Sequence, residues 1–463
     1  MIEVYSELLE LCGYEQEEIR KEHSRVREAF HILGIERGDV NTGKHRIQTF
    51  FDIELQGVRK TLGLWIKELT DMVLAKQEGK KIVYTSFPPV SEISAALALA
   101  SEEIYCCAPE IVLSNTLNLI FNKINPVLEA AESHGLTPGI AFCSYLQTRL
   151  GAIVKGAIPV PDLLIPSSYM CDLTPETDQL LAEYYDIPVS YIDNIMDVKG
   201  DDWPNIDPRK VKYLANEMKN AVENFTHLFG CKISESEIIR AIKIRDKLAQ
   251  TTNEILALTQ ADPVPLGQNN FSIVGLLGAS CIRRALIEGV EVMEILRQEL
   301  DERVRNGKGV LLKGAPRVLL TMTPHDPTFI AFIESLGLAI AGTASAPTPS
   351  SSGPSAYSSL WEQMAESLMK KRGGQYSSWG YILQLKELAD LWDVDGLIFW
   401  THYSCRQYSI FPLKAKDIIE KELGIPVLIL EGDYCDFRSH NTETMKIRLE
   451  AFAEMLFSSK EGD

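Results

Sequence analysis

The fold is legible in residues 396–438: Gly-Leu-Ile-Phe-Trp-Thr-His-Tyr-Ser-Cys405-Arg-Gln-Tyr-Ser, a helical segment, then Gly-Ile-Pro-Val-Leu-Ile-Leu-Glu-Gly-Asp-Tyr-Cys435-Asp-Phe-Arg. Each half has one plan. A short apolar run (397–400, then 427–430) opens at its C-terminal end into a polar loop carrying a cysteine. A continuous apolar run of this length, with a helix before the next, reads as a buried parallel strand. Ligands of open α/β sheets bind beyond the carboxyl ends of the strands. Cys405 and Cys435 are therefore expected to face one crevice.

The same plan recurs upstream. Ile82-Val-Tyr-Thr85 reads as a strand stopped by Pro88-Pro89, followed by an alanine-rich helix over 91–100. Glu103-Ile-Tyr-Cys106-Cys107 reads as a short strand opening into a loop at a cysteine pair. After it, residues 113–134 are expected to form one long helix, ended by Gly135 and Pro138. Ile140-Ala-Phe-Cys143 and Pro161-Asp-Leu-Leu, with Cys171 behind it, repeat the motif, and residues 187–193 read as a further strand. A single cysteine after a strand is most often packing, but several in one topological position point to thiolate chemistry with a soft metal or an iron–sulfur cluster. Cys12, Cys231 and Cys281 lack that context and are read as structural.

The chain divides on pattern into a helical N-terminal segment (1–78), a first α/β domain (79–204), a helical region (205–310) and a second α/β domain (311–463). The fold class expected is α/β, with two parallel-sheet, flavodoxin- or Rossmann-like domains. The first segment reads as a helical cap with solvated charge runs. Ser234-x-x-Glu237 reads as a capping box opening a helix, and 343–359 as a long loop. With 463 residues, two or three domains are expected.

A net charge of −18 argues against nucleic acid or an anionic membrane as partner. No apolar run approaches a bilayer span and no secretory signal opens the chain, so a cytoplasmic protein is expected. Nine cysteines, an odd count with no Cys-x-x-Cys pair, suit a reducing compartment and exclude a local zinc-ribbon or thioredoxin motif. There is no G-x-x-x-x-G-K-[ST] and no G-x-G-x-x-G after a strand, so this chain is not expected to hydrolyse ATP itself.

Cys143-Ser-Tyr-Leu-x-x-x-Leu-Gly, Pro161-Asp-Leu-Leu with Cys171 behind it, Ser404-Cys405-Arg and Gly424-Ile-Pro-Val-Leu-Ile-Leu-Glu-Gly-Asp together resemble the iron–sulfur components of 2-hydroxyacyl-CoA dehydratases and ATP-dependent benzoyl-CoA reductases. The resemblance covers roughly residues 80–460 and is best at the end. It implies a 4Fe-4S cluster between the two α/β domains, with Cys143, Cys171 and Cys405 as its three ligands. It also implies a separate ATP-hydrolysing iron–sulfur activator as electron donor, and a partner subunit that is either an identical copy or a paralogue. Three thiolates leave one iron open to bind a thioester carbonyl or a departing hydroxyl.

Cys106, Cys107 and Cys435 depart from the usual family pattern. Three plus three is the number of thiolates a double-cubane 8Fe-9S cluster requires, as in one relative of the dehydratases. Three functions are compatible with these residues. The first is a dehydratase or reductase acting on a 2-hydroxyacyl-CoA or aromatic acyl-CoA. The second is a double-cubane protein reducing a small molecule with ATP-coupled electrons. The third is a non-catalytic electron-transfer or scaffold protein. Arg149, Lys155 and Arg406 are the basic candidates for CoA phosphates, though each is more readily a surface or packing charge. Glu110 reads as a solvated loop acid, and His325 and His402 as hydrogen-bonding residues.

Overall fold

The computed structural model describes residues 2–87, 90–137, 142–169, 171–195, 206–344, 355–370, 378–438 and 440–461. Its frame is two parallel sheets. The first has three strands in the order β2-β1-β3: β1 Lys81–Thr85, β2 Ile104–Cys107 and β3 Leu163–Ile165. The second has four in the order β5-β4-β6-β7: β4 Arg317–Leu320, β5 Ala339–Thr343, β6 Gly396–His402 and β7 Val427–Gly432. Every pairing is parallel. The expected mixed α/β class with two parallel sheets is what the chain adopts.

The apolar runs at 397–400 and 427–430 are neighbours, with Leu397 opposite Val427 through His402 opposite Gly432. β6 is buried along its whole length, as a central strand covered on both faces should be. β7 lies at the sheet edge and is partly exposed. The helix Pro412–Leu423 joins them, with Pro412 at its first turn and Gly424 at φ 72° closing it.

Three expectations change in detail. Residues 113–134 are not one helix: Pro109–Leu113 runs into a π-helical turn, Ser114–Asn118, and a new helix spans Asn125–Glu132. Asn122 in the left-handed region and Pro126 in the first turn of the new helix explain the break. Residues 187–193 contribute two isolated bridges, Leu164 to Val189 and Ser167 to Ile192, instead of a full strand. Residues 140 and 141 of the strand expected at 140–142, the Pro88-Pro89 stop and most of the 343–359 loop lie outside the described residues.

The N-terminal segment is helical (Ile2–Leu11, Gln16–Ile32, Arg37–Phe50, Gln56–Leu74) but is more than a cap. Gln56–Leu74 is nearly all buried and packs against Arg283–Arg305. A Cβ at Gly57 would come within 2.4 Å of the Leu296 Cβ, and the Trp65 indole donates to the Ile273 carbonyl at 3.2 Å. The N-terminal and middle helices thus share one core. The capping box at Ser234 and Glu237 forms as expected, at the start of Glu235–Leu258.

Candidate functional site

Three cysteines arrive at helix N-termini. Cys143 is the N-cap of Ser144–Val154 and Cys405 the N-cap of Arg406–Ser409, while Cys171 stands two residues before Leu173–Tyr185. Amide groups at a helix start favour a thiolate, and the backbone N–H groups of Leu173 and Thr174 do donate to the Cys171 sulfur. All three side chains are partly buried, whereas Cys106, Cys107 and Cys435 are fully buried. Burial raises the Cys143 thiol, and Cys171, Asp433 and Cys405 raise it further. The loops of Cys143 and Cys405 meet at Asp433, which accepts from the hydroxyls of Ser144 and Ser404, and Cys171 is near enough to Cys143 for its charge to act there. Among the described residues no group of three His, Cys, Asp or Glu is drawn together as tightly as a single metal ion requires. A cluster several atoms across separates its thiolates further than one ion does.

Cys435 follows β7 and is 0% exposed. Its backbone N–H donates to the Ser144 Oγ at 2.9 Å, tying it to the residue after Cys143. Burial, then the Asp433 carboxylate, raises its thiol. Cys106 and Cys107 are strand residues and not loop residues, registered opposite Val83 and Tyr84 of β1. Successive strand residues point to opposite faces, and the two cysteines do join different apolar clusters. Cys106 shares its cluster with Cys281.

An aromatic wall lines the locus. Tyr434 packs edge-on against Tyr145, with ring centroids 4.9 Å apart, and lies 4.3 Å from His325 and 5.8 Å from His402. Burial lowers His325 to about 3 and also lowers His402, so both imidazoles are neutral at pH 7.

Beneath it is a buried charge group that bears out one sequence reading, Arg149 as a packing charge, and corrects another, Glu110 as a solvated acid. Arg149 and its acidic neighbours Asp178 and Glu110 are all 0% exposed. The guanidinium lies 2.7 Å from Asp178 and 3.9 Å from Glu110, and it also donates to the Thr85 carbonyl at 3.3 Å. Arg149 is therefore no CoA-phosphate ligand, and Glu110, which accepts from the Phe87 N–H at 2.8 Å, is no solvated acid. Lys155 is exposed at the far end of the helix that Cys143 caps. The side chain of Arg406 lies outside the described ones.

Sequence reasoning missed Asp178, Ser144, Ser404 and Asp433 as site residues. Asp178 carries no signal beyond its place on a helix. The other three had one: Cys143-Ser144 and Ser404-Cys405 are mirror-image pairs, and Asp433 ends an apolar strand.

Two parallel sheets, with cysteine-bearing loops of both joined through Asp433, define a mixed α/β protein. The chain belongs to the 2-hydroxyglutaryl-CoA dehydratase D-component family, which it matches over residues 91–456. It is 21% identical to the alpha subunit of the (R)-2-hydroxyglutaryl-CoA dehydratase of Acidaminococcus fermentans, over 68% of this chain and 64% of that protein. It is also 21% identical to the alpha subunit of the (R)-phenyllactyl-CoA dehydratase of Clostridium sporogenes, over 72% of this chain and 81% of that one. Against one of the subunits of the benzoyl-CoA reductase of Thauera aromatica it is 22% identical, over 69% of this chain and 78% of that one. The chain thus spans just under two thirds of the first of these relatives.

Proposed function

We propose that this protein is the iron–sulfur catalytic component of a low-potential dehydratase or reductase, with a 4Fe-4S cluster held by Cys143, Cys171 and Cys405. It takes electrons from a separate ATP-hydrolysing iron–sulfur activator and acts on a 2-hydroxyacyl-CoA or an aromatic acyl-CoA. Its assembly is a dimer, with itself or with a paralogous subunit. The observation that carries this reading is the convergence of these three thiols from two α/β units, each beside a helix N-terminus. The donor set fits the group: thiolates suit iron–sulfur clusters, and three leave one iron open. When bound, the cluster supplies low-potential electron transfer and a Lewis-acidic iron. The chain's own residues do the rest. The aromatic wall of Tyr145, Tyr434 and His325 excludes water, and the helix starts hold the thiolates.

Cys435 favours a second reading, since its N–H donates to Ser144, the residue next to Cys143. A double-cubane 8Fe-9S cluster would recruit it with Cys107 and Cys106, and the substrate would then be a small molecule reduced with ATP-coupled electrons. The opposed faces of Cys106 and Cys107 weigh against all six thiols serving one cluster. The test is iron and acid-labile sulfide per chain after purification without oxygen. About four irons support the first reading and about eight the second. Cys405→Ala is expected to lose most of its iron, and a full complement in that variant would refute the ligand set.

A further inference from the structure

Cys143 and Cys405 belong to different α/β units, and something must hold their loops together. Asp433 lies between them, 0% exposed. Its Oδ1 accepts from the hydroxyl of Ser144, the residue after Cys143. Its Oδ2 accepts at 2.9 Å from the hydroxyl of Ser404, the residue before Cys405. The backbone N–H groups of Tyr434, at 2.5 Å, and Cys435, at 3.3 Å, also donate to Oδ1. The Asp433 N–H in turn donates to His440 Nε2 at 2.7 Å, which fixes the loop that carries the carboxylate. The Ser144 hydroxyl accepts from the Cys435 amide while donating to Asp433, so one short chain of bonds crosses from one unit to the other twice.

We propose that Asp433 is the latch of the cysteine site, a positioning residue that holds Cys143 and Cys405 in register across the two α/β units through Ser144 and Ser404. The carboxyl group accepts four hydrogen bonds, one of them from the other unit. Its removal takes from the Ser144 hydroxyl its acceptor in the other unit, while the Ser404 hydroxyl still has His402 Nδ1 at 3.3 Å. Alanine at 433 therefore breaks the bond between the units, whereas asparagine keeps one acceptor oxygen and puts a donating NH2 in place of the other.

The inference rests on the proposed cysteine site but not on what the site holds, and its test needs no cluster. The full-length chain, freed of metal with a chelator under anaerobic conditions, is treated briefly with bismaleimidoethane. Peptide mass spectrometry then gives the ratio of Cys143–Cys405 to Cys143–Cys171 cross-links. The second product joins residues of the same unit and serves as internal reference. Asp433→Ala is expected to lower the ratio about tenfold, on the scale of one lost buried hydrogen bond. Asp433→Asn and Ser404→Ala should fall between it and the wild type, and Ser404→Ala decides the matter if the alanine variant does not fold. An unchanged ratio, an equal loss of both products, or no interunit product from the wild type each overturns the latch. A normal ratio change in a chain that binds no iron would leave the latch standing and sink the cluster.

Discussion

Glu68 shows at the residue scale what burial does to a charge. It lies on the buried helix Gln56–Leu74, 0% exposed, and accepts from the Tyr105 hydroxyl at 2.6 Å. Desolvation, with Asp71 adding repulsion, pushes its carboxyl up to about 7. An acid raised on folding binds more protons in the native state than in the unfolded one between about pH 4.5 and 7. Its stabilising contribution is thus complete below the unfolded value and is lost as pH rises through 7. Asp178, also pushed up to about 7 by burial, acts in the same direction. Urea unfolding at pH 5 and pH 7.5 should show Glu68→Gln losing less stability than the wild type between the two. The difference is at most about 1.4 kcal/mol per pH unit. A variant that tracks the wild type at both values would mean that Glu68 ionises normally.

At the scale of elements, the helix Ser144–Val154 connects packing to the site, because its N-cap is Cys143. It packs against Asn125–Glu132 so closely that a Cβ at Gly151 would stand 1.9 Å from the Val127 carbonyl oxygen. That obstacle is backbone, which cannot swing aside as a side chain can. Gly151→Ala is expected to cost at least about 1–3 kcal/mol in a denaturant midpoint experiment, and to lower iron content with it, since the helix must move to relieve the clash. Unchanged stability would mean that the two helices pack less tightly than this. The π-helical turn at Ser114–Asn118 has a comparable role. It aims the Asn118 side chain at the His325 carbonyl, 2.9 Å away, and so joins the first unit to the second.

At the scale of the molecule, the sheets govern which cysteines can cooperate. The carboxyl ends of β2, β6 and β7 deliver Cys107, Cys405 and Cys435, and the loop after β3 delivers Cys171. Cys106 is turned to the other face of β2 and packs in the apolar cluster that contains Cys281. With a single 4Fe-4S cluster, Cys106→Ala and Cys435→Ala should each keep about four irons per chain. A double cubane predicts that both lose iron with Cys405→Ala, and iron lost from Cys435→Ala alone would point to a cluster of intermediate ligation. Dehydratase and reductase subunits alike are among the relatives of this chain.

Local pattern was enough for the class of fold, because apolar runs of about four to six residues between amphipathic helices leave a parallel sheet as the arrangement that buries both faces. It was enough for β6, β7 and the cysteines that follow them, because strand end and cysteine are adjacent in the chain. It also placed the capping box at Ser234, where the paired residues lie within one helical turn. The rest depends on pairs far apart in the chain and came from folding alone. Arg149 reads as a phosphate candidate or, more readily, a surface or packing charge, and only the folding of Asp178 and Glu110 against it decides between them. Cys106 and Cys107 read as one feature until the pleat separates them. Ser144 and Asp433, 289 residues apart, are two unremarked polar residues until folding places the hydroxyl on the carboxylate. Burial and charge pairing are properties of the assembled core, and they turned residues of ordinary appearance into the supports of the site.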